Sequence, residues 1–107
     1  MKIKGRSRIK NAITYGLEAN GDDSEFYYMI FQELFNKHEF IELSGESHAC
    51  WMIDSKAYEK IIKKLYTAKN SFIEGMSEKR WNDIKNTIII WYLEADKSDG
   101  YVHIDWF

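Results

Sequence analysis

The chain has 107 residues, 45% of them hydrophobic and 16% aromatic, and a formal net charge of −2. That length suits one domain around one core, and that composition excludes a disordered chain. The longest apolar run, 88–93, is too short to span a bilayer, and a lone cysteine, Cys50, excludes an internal disulfide.

After the basic start MKIKGRSRIK, the residues Ile9, Ala12, Ile13, Gly16 and Leu17 recur at helical spacing. They predict a helix that Ser7 could cap and Asn20-Gly21 could end. Asp22, with Glu25 three residues on, reads as a capping pair for a second helix. That helix carries Phe26, Tyr27, Met29, Ile30, Phe31, Leu34 and Phe35 and runs to about Lys37. The pattern then shortens. Two runs around Ser44-Gly45-Glu46-Ser47 read as a hairpin, its second strand alternating Ala49, Trp51 and Ile53 with His48, Cys50 and Met52. Asp54 or Ser55 caps a third helix, with Ala57, Tyr58, Ile61, Ile62, Leu65 and Tyr66 as its buried stripe and Lys56, Lys60, Lys63 and Lys64 opposite. A shorter helical piece starts after Ser77. The run 88–93 is β-branched or aromatic at five of six positions and is expected as a central strand, with Ile90 and Trp91 both buried. Asp99-Gly100 turns the chain into a final strand over 101–107. The whole is expected to be a single α+β domain spanning 1–107. About four antiparallel strands in two hairpins would be packed by three to four helices.

Charge is segregated. Residues 1–10 hold five bases and no acid, 11–54 one base against nine acids, 55–80 seven bases against three acids, and 81–107 two bases against five acids. Such blocks create local fields that select partners although the total is near zero. Chemistry-bearing constellations are sparse. His48 and Cys50 share a strand face, but a zinc site would need His38, Asp54 or His103 to converge on them, and no CxxC or HExxH spacing is present. His103 and Asp105 also share a face, which reads as the wetter side of a terminal strand. No glycine-rich phosphate loop exists. Catalytic residues, metals and cofactors are therefore not expected, nor is an enzyme. The basic start lacks an apolar segment after it, so no secretory signal is expected and a cytoplasmic location is the default.

The closing third, from Trp81 through the 88–93 run and Asp99-Gly100 to the aromatic and acidic end, resembles the C-terminal part of YezG-like immunity proteins of bacterial polymorphic toxin systems. Small immunity proteins of contact-dependent growth inhibition are similar in size and character. The resemblance implies a stoichiometric toxin inhibitor with no catalytic residues. Its partner would be a cognate toxin, a nuclease by preference, with no membrane involved. An acidic surface suits a partner that must itself be basic to bind nucleic acid. The candidate contact residues are Asp22, Asp23, Glu25, Tyr28, Glu42 and Glu46, with Tyr27 and Trp51 as aromatic anchors, and Asp96, Asp99 and Tyr101 at the last turn. The alternative is a small nucleic-acid-binding regulator of mobile-element origin, using the basic start and the lysine stripe of the third helix.

Overall fold

The computed structural model describes residues 2–8, 13–44, 49–71 and 73–106. The fold is α+β: one five-stranded antiparallel sheet in the order β2-β1-β5-β4-β3, with three helices. The strands are β1 (Ile3–Arg8), β2 (Thr14–Glu18), β3 (Phe40–Ser44), β4 (Ala49–Asp54) and β5 (Tyr101–Trp106), and the helices are α1 (Ser24–Leu34), α2 (Ser55–Thr67) and α3 (Glu78–Glu94).

The β3–β4 hairpin and α2 stand where their patterns put them. Asp54 accepts from the Ala57 amide at 2.9 Å and so caps α2, whose Ala57, Tyr58, Ile61, Ile62 and Leu65 are buried. Tyr66 departs from the expected stripe and is 61% exposed. In α1 the expected Asp22–Glu25 capping pair is absent. Asn20 instead accepts from the Asp22 amide, starting a single 3-10 turn over Gly21–Asp23 that leads into the helix.

Two elements correct the sequence reading. The expected helix after Ser7 is a strand pair, β1 and β2; the predicted stripe residues Ile9 and Ala12 lie outside the described residues. Its other apolar members never form a buried stripe: Ile13 is 46% and Leu17 37% exposed, on or beside the edge strand. What fixes β1 is a partner far along the chain, since Ile3, Lys4 and Gly5 pair with Trp106, Asp105 and Ile104 of β5. The second correction is the run 88–93, which is helical. Ser77 accepts from the Arg80 amide and starts α3, and Trp81, Ile84, Ile88 and Trp91 continue one buried stripe through the β-branched run. β-Branched residues lose only a few tenths of a kcal/mol each in a helix, whereas burying one large apolar side chain returns about 2 kcal/mol. Ile90 therefore turns outward, at 36% exposure, while Trp91 is 1% exposed. Lys97 folds back onto the end of α3, its Nζ donating to the carbonyls of Tyr92 at 2.8 Å and Ala95 at 3.2 Å.

The central strand is β5, in the place expected of 88–93, and its neighbours are β1 and β4. Gly100, with φ of 87°, makes the turn into it. All three helices cover one face of the sheet. Trp51 and Gly5 both pair with Ile104 and so share that face; Phe31 of α1 packs on Trp51 and Trp91 of α3 lies over Gly5. A Cβ at Gly5 would come within 2.7 Å of the Trp91 ring, so the close approach depends on glycine. Tyr58 of α2 joins this layer through Phe31 and donates to the Ile88 carbonyl at 2.6 Å. The other face carries Lys4, Arg6, Cys50, Met52, His103 and Asp105, and no described helix packs on it. Among the described residues, no helix is long and apolar enough to cross a membrane.

Candidate functional site

A concavity of about 840 Å³ opens between the start of α1 and the sheet. That volume lies within the ordinary range of binding sites. It is lined by Gly21, Asp22, Ser24 and Glu25 where α1 begins, Tyr28 and Met29 one turn on, Glu42 of β3 and Trp106 of β5. Three carboxylates and no base stand in this lining.

Local contacts fix its shape. Ser24 Oγ donates to the Gly21 carbonyl at 2.8 Å, tightening the turn. Arg80 of α3 reaches across to Asp23 and stacks 4.8 Å from the centre of the Phe26 ring. Asp23 is thereby buried, at 4% exposure, and is removed from the candidate contact residues. With Asp23 pinned inward, its neighbours Asp22 and Glu25 face solvent. Both also favour the positive end of α1, so helix stability accounts for part of their presence. It does not account for Glu42, which reaches the same concavity from a strand. Tyr28 Oη donates to Glu42 Oε1 at 3.0 Å, and this carboxylate pushes the phenol's pKa above its ordinary value. Met29 is 51% exposed, an apolar contact surface beside the acids.

The structure thus brings together Asp22, Glu25, Tyr28 and Glu42 of the candidate set, and adds Met29 and Trp106. Tyr27 and Trp51 are 1% exposed and serve the core. Glu46 and His48 lie outside the described residues. Asp96, Asp99 and Tyr101 stand elsewhere, because Tyr101 and Trp106 occupy opposite ends of β5, about 17 Å apart along an antiparallel strand. There Asp99 accepts from the Tyr101 amide at 3.0 Å and meets His103 Nε2 at 2.7 Å, and Asp96 accepts from the Ser98 amide at 3.0 Å. These acids shape the connection from α3 to β5.

The catalytic alternatives gain nothing from the geometry. Cys50 is buried, and burial, with Asp105 adding to it, pushes its thiol up to about 12, so it carries no thiolate near neutral pH. Asp105 faces Arg6, not His103; Arg6 Nη2 donates to Asp105 Oδ1 at 2.6 Å, and this bond raises the guanidinium pKa further. Among the described residues no three His, Cys, Asp or Glu side chains converge as a metal site. The two basic groups do not share a surface: Lys4 and Arg6 lie on the uncovered face of the sheet, whereas Lys56, Lys60, Lys63 and Lys64 are exposed on α2, in the layer that covers the other face. No protein-family model, curated protein or solved structure matches this chain.

Proposed function

We propose that this chain is a stoichiometric binding protein for a basic partner: an immunity protein that neutralises a cognate toxin, a nuclease by preference. The observation that carries the reading is the convergence of Asp22 and Glu25 with Glu42 around one concavity with exposed apolar surface in Tyr28, Met29 and Trp106. Carboxylates flanking an aromatic and thioether floor supply what a protein interface needs. The charges steer encounter and reject acidic partners, and the apolar floor provides area to desolvate. A nuclease is a fitting partner because its nucleic-acid-binding surface must be basic. Covering that surface inhibits it without any chemistry by the inhibitor. The neutral, buried Cys50 and the Arg6-bound Asp105 support a binding role over a catalytic one.

The test is affinity capture from the native host with the full chain as bait, followed by reconstitution. The expected result is one basic, toxin-like domain held at one-to-one stoichiometry, whose cleavage of nucleic acid stops on addition of an equimolar amount of this protein. Capture of a partner that degrades nucleic acid equally well with and without the protein would overturn the reading, as would failure to retain any basic partner.

A further inference from the structure

The four tryptophans differ in how their indole N–H groups are used. Trp91 donates to the Leu17 carbonyl at 2.8 Å and Trp81 to the Ala68 carbonyl at 3.4 Å. Trp51 Nε1 and Trp106 Nε1 have no acceptor, although both atoms are closed to water. These two rings are neighbours, with centroids 5.6 Å apart. They stand differently toward the acidic concavity. Trp106 lines it, and Trp51, 1% exposed, stands directly behind the lining, 5.9 Å from the Tyr28 ring and across the hairpin from Glu42. Buried donors without acceptors are rare in finished folds. Two side by side, one of them in the lining of this carboxylate-lined concavity, point to an acceptor that arrives from outside.

The concavity therefore offers carboxylate acceptors at its surface and, once the Trp106 ring turns, an N–H donor beside them. A peptide segment answers both, since its backbone supplies carbonyl oxygens and its side chains can supply a cation. Arginine fits better than lysine. A guanidinium is planar, lies flat on aromatic rings and forks its N–H groups between carboxylates, whereas an ammonium is a compact, strongly hydrated charge. Tyr28 already orients Glu42 through one carboxylate oxygen, and Asp22 and Glu25 face it from the start of α1.

We propose that the concavity seats an arginine from an extended segment of a protein partner. Its guanidinium lies over Tyr28 and Trp106 between the α1 carboxylates and Glu42, and a backbone carbonyl of the same segment accepts from the Trp106 indole, turned outward to meet it. This rests on the concavity being the partner surface. The probe is a set of blocked Gly-Gly-Xaa-Gly-Gly peptides with arginine, lysine or its neutral isostere citrulline in the centre, titrated into the isotopically labelled full chain by NMR. The Trp106 indole resonance is assigned with Trp106→Phe. The arginine peptide is expected to shift that resonance downfield and to bind about tenfold tighter than the lysine peptide, the discrimination one charge-assisted bond supplies. Glu42→Gln, with an unchanged circular dichroism spectrum, should weaken arginine binding by a similar factor, and citrulline should give no saturable shift. Equal binding of lysine, saturation without movement of the Trp106 indole, or no binding of arginine would each overturn the proposal. Should any of these occur while Asp22→Lys with Glu25→Lys still slows association with the captured toxin, the arginine anchor is wrong and the partner surface stands. Should neither respond, both fall.

Discussion

The two faces of the sheet are buried by different means, and β5 displays both. On one face Val102 and Ile104 lie under the helices, each 0% exposed, within a cluster built around Phe31, Trp51, Tyr58 and Trp91. On the other, His103 and Asp105 are 6% and 0% exposed with no described helix above them. Side chains of the neighbouring strands close over this second face, chiefly Arg6 on Asp105 and, from the connection before β5, Asp99 on His103. Helices bury by apolar volume and tolerate no charge. Neighbouring side chains bury by pairing, so this face admits charge provided every charge has its partner.

The comparison predicts unequal tolerance. Ile104→Asp puts a carboxylate under the helices with no partner, which should exceed about 4 kcal/mol and leave the chain unfolded in a domain of ordinary stability. Asp105→Ala, one residue on, strands the Arg6 guanidinium, whose side chain is 13% exposed, and should cost about 3 kcal/mol. The contrast sharpens in the double variant: adding Arg6→Met should recover most of that loss, whereas no second change on the uncovered face can rescue Ile104→Asp. Urea unfolding followed by circular dichroism measures all three. Equal losses for the two single variants would break the distinction between the faces. Gly5→Ala tests how closely the helical layer sits. Its new methyl meets the Trp91 ring at 2.7 Å and should cost about 1–3 kcal/mol through overpacking.

These contrasts also account for what the sequence disclosed. α2 was legible because its cap and its stripe are local: Asp54 begins it and every buried member lies within thirteen residues. The β3–β4 hairpin was legible for the same reason. The centre of the sheet was not, because its alternation of Val102 and Ile104 with His103 and Asp105 looks like a half-exposed strand, while 88–93 looks like a fully buried one. The missing information was long-range. Arg6 and Asp105 are 99 residues apart, and the Trp81–Ile84–Ile88–Trp91 stripe becomes decisive only once Ser77 is seen to cap one continuous helix. The site divides likewise. Asp22, Glu25, Tyr28 and Glu42 could be read from one charge block, but the burial of Asp23 depends on Arg80, 57 residues away, and Trp106 joins only through the sheet.

A smaller and graded effect should appear in alkali. Burial pushes Cys50 from 9.0 up to about 12 and Tyr27 from 10.0 up to about 12, and holds Tyr58 well above its ordinary value. Each group stays protonated in the folded chain at pH values where it ionises in the unfolded one. The folded state then binds more protons, so stability is complete below about pH 9 and falls as pH rises toward about 12. Urea midpoints between pH 8 and 11 measure the slope, and Cys50→Ala, which removes the thiol from the uncovered face, should flatten its lower part. A midpoint that rises with pH would contradict the burial of these groups. The least effect on folding belongs to the concavity. Asp22→Lys with Glu25→Lys forfeits favourable charge at the start of α1 and should cost about 1 kcal/mol.

That small effect on stability makes the double reversal the most direct probe of function. Association with the captured toxin domain, followed by stopped flow at low and at moderate salt, separates the acidic concavity from the basic face of α2. Asp22→Lys with Glu25→Lys is predicted to slow association about tenfold at low salt, with a smaller deficit as salt screens the field, and Lys60→Glu with Lys63→Glu is predicted not to slow it. An unchanged rate in the first variant, or a loss confined to the second, would contradict the assignment of the concavity as the partner surface.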